Sequence, residues 1–122
     1  MEFTAKIKAV GSKAFDKHIY ILFDENITSD IAEVSIQQEF VTKQNKDKLI
    51  IKAGDAIEIS GQEFNVRHVG RLVNDNLNDI AHVVLMFGDV EDEPMENTIY
   101  LDGDRNQDQL FKSGNTIVYK LK

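Results

Sequence analysis

The feature that most constrains this chain is a series of short apolar segments, each cut off by turn residues before it reaches helical length. Phe3, Ala5, Ile7 and Ala9 alternate with Thr4, Lys6 and Lys8. That period of two sets one face of a strand against a core and the other in water. His18 to Phe23 reads H-I-Y-I-L-F, too short and too evenly apolar for a surface helix, and is expected to be a strand opened by His18. Ala56–Ile59 and Glu63–Val69 flank Ser60-Gly61-Gln62, which predicts a hairpin turning at Gly61. Ile80 to Phe87 is mostly apolar and reads as a strand buried on both faces. Thr98–Leu101 and Thr116–Leu121 complete the set.

Only two segments have helical character. Ser29-Asp30-Ile31-Ala32-Glu33 places an acid three residues after a capping residue, enough for one turn. Arg71 to Asp79, with Leu72, Val73, Leu77 and then Ile80, carries an apolar stripe on a short helix. Many short strands with one or two short helices predict an all-β fold, a closed or partly open barrel-like structure. The 122 residues suffice for one domain with its own core, so residues 1–122 are expected to form a single domain.

An internal echo bears on the architecture. Ile51-Lys52-Ala53-Gly54-Asp55-Ala56-Ile57 and Phe111-Lys112-Ser113-Gly114-Asn115-Thr116-Ile117 share the shape apolar-Lys-x-Gly-Asp/Asn-x-Ile. Each reads as a turn with glycine at positive φ followed by a strand. The pair predicts related corners of a pseudo-symmetric barrel.

Composition narrows the chemistry. Without cysteine the chain has no disulfide, thiolate zinc site, iron–sulfur cluster or cysteine nucleophile. A net charge of -7 gives no general attraction to nucleic acid or anionic membrane. No apolar run approaches the ~20 residues that cross a bilayer, and Met1-Glu2-Phe3-Thr4-Ala5-Lys6 lacks the form of a signal peptide. A soluble cytoplasmic protein is expected. Asp102, Asp104, Asn106 and Asp108 alternate like a calcium loop. However, Gln107 stands where the sharp turn needs glycine and Ser113 where a closing Glu is needed, so a solvated acidic loop is expected. The common hydrolase, P-loop and dinucleotide motifs are absent.

Three histidines remain as candidates for acid, base or phosphoryl-acceptor chemistry near neutral pH: His18, His68 and His82. His18 reads as a surface residue, His68 lies inside the strand Asn65–Val69, and His82 sits between Ala81 and Val83 at the start of the most apolar strand.

These residues, in their order and spacing, resemble a known family. Val66-Arg67-His68-Val69-Gly70, Asn76-Leu77, Ile80-Ala81-His82-Val83-Val84-Leu85-Met86-Phe87 and Asn97-Thr98-Ile99-Tyr100-Leu101 carry the resemblance, together with Ile21-Leu22-Phe23 and Ile31-Ala32-Glu33-Val34-Ser35-Ile36 upstream. It is to the glucitol/sorbitol-specific enzyme IIA component of the bacterial phosphoenolpyruvate-dependent sugar phosphotransferase system. The resemblance implies a small, mainly β protein that takes a phosphoryl group on a histidine from the phosphocarrier protein HPr and passes it to a IIB component. It implies no metal and no organic cofactor.

The departures fall where that chemistry is carried. The family's accepting histidine aligns with Gln38, at the end of Glu33-Val34-Ser35-Ile36-Gln37-Gln38. An amide nitrogen, its lone pair delocalised into the carbonyl, cannot replace imidazole as nucleophile. Tyr100 stands at a common His, Asn97 at a turn Gly, and Ala81 where Gly usually precedes the histidine aligned with His82. The resemblance thus gives His82 a supporting role or that of alternative acceptor, with His68 a further possibility. It leaves two expectations open: a phosphoryl carrier with a noncanonical acceptor, and a catalytically inactive paralogue that works as a binding or regulatory module.

Overall fold

The computed structural model describes the whole chain, Met1–Lys122. Eight strands, β1 (Glu2–Val10), β2 (Tyr20–Phe23), β3 (Ile36–Phe40), β4 (Ala56–Ile59), β5 (Gln62–Val69), β6 (Val83–Phe87), β7 (Thr98–Leu101) and β8 (Thr116–Lys120), carry the fold. They close a barrel in the order β1-β3-β2-β6-β7-β5-β4-β8. Closure leaves no unpaired sheet edge. Two helices, α1 (Ser29–Glu33) and α2 (Val73–Ile80), and single 3-10 turns at Lys46–Lys48 and Asp108–Leu110 decorate it.

The barrel is two copies of one four-strand plan. Replacing β1–β4 by β5–β8, and the reverse, returns the same cyclic order read backwards. The two parallel pairings, β2 with β3 and β6 with β7, exchange under this operation. So do the β-bulges, one between Ile7 and Ala9 on β1 and one between Val66 and His68 on β5. The echoed turns lie at equivalent places. Gly54 (φ 96°) leads into β4 and Gly114 (φ 95°) into β8, and these strands pair antiparallel.

Inward residues from every strand build a core of 26 buried side chains, among them Phe3, Ile7, Leu22, Ile36, Ile57, Val66, Leu85, Ile99 and Tyr119. Helix α2 adds Val73 and Leu77 to this core. It also holds the 49–51 segment, because Asn74 exchanges two hydrogen bonds with the Ile51 backbone at 2.8 and 3.0 Å and Asn78 donates to Leu49 O at 2.8 Å.

Three local expectations need correction. His18 does not open a strand: Lys17 and His18 take φ of 56° and 58°, a left-handed bend from which β2 starts at Tyr20. Ile80 belongs to α2 rather than to the following strand. The helix ends on Ala81 at φ 52°, and β6 begins at Val83, so His82 sits in the two-residue connection. Residues 36–40, with no strand assigned to them from the sequence, form β3. Their alternation is present in Ile36 and Phe40, but the inward position between them is Gln38, which breaks the apolar signature. The Ser60-Gly61 turn matches expectation, with both residues at positive φ (53° and 87°) as a two-residue hairpin turn requires.

Candidate functional site

Strand β3 alternates buried and half-buried residues from Ile36 to Phe40, which sends Gln37 and Glu39 outward and Gln38 into the barrel. Gln38 is 1% exposed. A buried primary amide is costly unless its donors and acceptors are met. Here Gln38 Oε1 accepts from the Tyr119 hydroxyl at 2.8 Å, and Gln38 Nε2 donates to Ala81 O at 3.0 Å. The donor comes from β8 and the acceptor from the end of α2, so side chain 38 bridges two elements. Tyr119 is also fully buried, and burial pushes its phenol far above its ordinary value while the bond to Gln38 works the other way.

Ala81 immediately precedes His82, so positions 38 and 82 are neighbours in space. The imidazole itself turns elsewhere. His82 Nδ1 lies 3.0 Å from Leu22 O, and the ring stacks on Phe23 with centroids 3.8 Å apart and planes 7° from parallel. A carbonyl can only accept, so in neutral His82 the Nδ1 nitrogen carries the proton and Nε2 keeps its lone pair. Nε2 has no protein partner.

A cavity of about 290 Å³ opens beside this pair, and Gln38 and Ala81 both line it. His82 does not line it. Phe40 and Leu77 supply its apolar wall. Lys46 reaches in with its ammonium 4.2 Å from the Phe40 ring centroid, donating to Leu77 O at 3.4 Å and Asn78 Oδ1 at 3.3 Å. Burial, and then the neighbouring Lys43, lowers its pKa from the usual lysine value. Around the rim Asp24, Glu25, Glu39 and Asp79 outnumber Lys43 and Lys46.

The other histidines lie apart from this cavity. His68 pairs with Tyr100 across the β5 bulge, ring centroids 5.9 Å apart. The Tyr100 hydroxyl donates to Glu91 at 3.2 Å and accepts from Met95 N at 2.9 Å. His18 faces Asp108 at 3.7 Å, and the same carboxylate accepts from buried Tyr20 at 2.5 Å.

Tyr119 and Lys46 were not among the sequence candidates. Tyr119 had a readable signal: it shares the inward phase of β8 with Ile117, and a phenol facing a barrel interior needs a polar partner. Lys46 had none, because its position depends on how the loop after β3 folds over Phe40.

The sequence profile described as PTS system glucitol/sorbitol-specific IIA component matches residues 2–118. The chain belongs to this family. Among solved structures, the PTS system IIA component from Enterococcus faecalis V583 has a TM-score of 0.86 and 28% identity, covering 97% of this chain and 99% of that one. No curated protein matches the sequence. As a IIA-family chain it carries at position 38 a residue with no nucleophilic nitrogen. No helix is long and apolar enough to cross a membrane.

Proposed function

We propose that this IIA-family chain is a cytoplasmic binding or regulatory module of the phosphotransferase system. It engages HPr or a IIB component as its relatives would, without carrying a phosphoryl group at position 38. One observation carries this reading: the Gln38 amide, unable to act as nucleophile, has its oxygen bonded to Tyr119 and its nitrogen to Ala81 O. An acceptor side chain must present a free lone pair to the incoming phosphorus. The excess of carboxylates around the adjoining cavity also disfavours a phosphoryl dianion there.

A second reading keeps the carrier role and moves the acceptor to His82. The bond from Nδ1–H to Leu22 O favours it, since this bond leaves Nε2 with its lone pair. In that reaction Nε2 would attack the phosphorus of phosphohistidine on HPr. The new N–P bond forms as the donor's N–P bond breaks, and the departing imidazole keeps the electron pair. Nδ1–H would stay on Leu22 O and spread the positive charge left on the ring.

Incubation with phosphoenolpyruvate, enzyme I and HPr separates the two. The module reading expects no phosphohistidine on the wild type. The carrier reading expects a label that His82→Ala removes and Gln38→Ala keeps.

A further inference from the structure

Three separate pieces of chain meet at the cavity beside Gln38: the residues after β2, strand β3 with the loop that follows it, and the end of α2. Hydrogen bonds join them to one another. Asp24 N donates to Ile80 O at 3.0 Å, Gln38 Nε2 to Ala81 O at 3.0 Å, and the Lys46 ammonium to Leu77 O at 3.4 Å and Asn78 Oδ1 at 3.3 Å. Their polar groups therefore border one space of about 290 Å³, at the lower end of the range for small-molecule pockets.

The hydrogen-bonding capacity left over in that space is mixed in kind. A primary amide has two N–H donors. Gln38 is 1% exposed, and its Nε2 gives one hydrogen to Ala81 O while the other has no protein partner. An ammonium has three donors, and Lys46 engages two. Acceptors stand opposite these donors. The carboxylates of Glu25, Glu39 and Asp79 line the cavity and make neither a hydrogen bond nor an ion pair within the protein. Depth separates the two kinds: Gln38 is buried and Lys46 half-buried, whereas Glu25 and Asp79 are exposed.

This arrangement selects among ligands. An anion would meet four acidic side chains against two lysines. An organic cation would suit the rim, but it brings only donors to the Gln38 N–H and to Lys46. The Lys46 ammonium also occupies the Phe40 face, 4.2 Å from its centroid, where such a cation would stack. An apolar ligand would leave the Gln38 donor buried and unpaired. A hydroxyl both donates and accepts. Several hydroxyls on one small molecule can accept from Gln38 and Lys46 at the inner end and donate to carboxylates at the rim, with Phe40 and Leu77 against the carbon skeleton.

We infer that the cavity beside Gln38 binds a small neutral polyhydroxylated ligand, a polyol or sugar, whose hydroxyls accept from Gln38 Nε2 and Lys46 and donate to Glu39 and Asp79. The inference deepens the binding-module reading and rests on it in that side chain 38 stays an unmodified amide. Phosphorylation through HPr decides that reading and a titration decides this one, so the two failures are told apart.

Isothermal titration calorimetry on the full chain tests the site, with glucitol, mannitol and glucose as neutral probes, glucose 6-phosphate as the anionic probe and spermidine as the cationic one. At least one neutral probe should give a saturable heat. Glucose 6-phosphate and spermidine should each bind at least about tenfold more weakly than that probe. Glu39→Gln, Asp79→Asn and Lys46→Met should each weaken the neutral probe by about fivefold or more, through loss of a charge-assisted hydrogen bond. Lys46→Met also removes bonds to the end of α2. The two carboxylate variants, whose parent side chains bond to nothing in the protein, therefore suffice for the test. Asp104→Asn, an equally small change to an exposed acid beyond the far end of β6, should leave the affinity unchanged. No saturable heat with any neutral probe, or binding indifferent to both Glu39→Gln and Asp79→Asn, overturns the site. Glucose 6-phosphate or spermidine binding more tightly than every neutral probe overturns the assigned ligand class.

Discussion

The Tyr119 hydroxyl donates to Gln38 Oε1 at 2.8 Å inside a closed barrel, and neither side chain is more than 1% exposed. Gln38 occupies an inward position of β3 and Tyr119 one of β8, so the bond ties the two strands across the core. A glutamine there is not a surface accident, because each of its polar ends is matched to a particular protein group. Position 38 has become part of the core's hydrogen bonding.

Removing either partner should therefore cost stability. Gln38→Leu strands the Tyr119 hydroxyl and Ala81 O, and Tyr119→Phe strands Gln38 Oε1. Each should cost about 1–3 kcal/mol, the penalty of leaving buried polar groups unpaired. The double variant should lose less than the sum, because the second change removes a group already without its partner. Urea denaturation of the four proteins measures this, and strictly additive losses would show the bond to be without consequence.

Alkaline pH should weaken the fold through its buried phenols. Burial raises the Tyr119 pKa, and burial followed by the bond to Asp108 raises that of Tyr20, both from 10.0. A phenol that stays protonated when folded but ionises when unfolded contributes fully below the unfolded value. Its contribution falls as pH rises above about 10, by up to ~1.4 kcal/mol per pH unit. Tyr119→Phe should thus be less stable at neutral pH and yet show a shallower decline above pH 10.0. Denaturation midpoints on both sides of that pH give the two slopes, and equal slopes would contradict the assignment.

The tautomer of His82 is fixed by a backbone carbonyl. Nitrogen-15 chemical shifts of neutral His82 should report a protonated Nδ1 and an unprotonated Nε2, as the 3.0 Å approach to Leu22 O requires. A protonated Nε2 would mean that this bond does not form, and with it the case for His82 as an alternative acceptor would fail.

Much of the barrel was legible in the sequence because strand period and turn chemistry are local. The alternation from Phe3 to Ala9, the Ser60-Gly61 turn and the Gly54 and Gly114 corners each follow from a few adjacent residues. Strand β3 was missed because Gln38 interrupts its apolar phase, and the reason for a glutamine there lies on β8, 81 residues away. The turn at Lys17–His18 was missed because positive φ is uncommon for any non-glycine residue, and two such residues in a row leave no glycine to mark it. Family resemblance brought out positions 38 and 82. It could not supply the Tyr119 and Ala81 partners, nor the cavity beside Gln38, which depends on how the loop after β3 meets the end of α2.

On the function proposed above, this IIA-family chain carries no phosphoryl group at position 38 and retains the surface that its partner meets. The most direct test is phosphoryl transfer from phosphoenolpyruvate through enzyme I and HPr to wild type and Gln38→His, with an active IIA component as control. The proposed function predicts no phosphohistidine on the wild type and a slow but detectable label at position 38 of Gln38→His. Positioning governs much of such a reaction, and side chain 38 points into the core between Tyr119 and Ala81. A wild type labelled like the control, or a Gln38→His variant left unlabelled beside a labelled control, would contradict it.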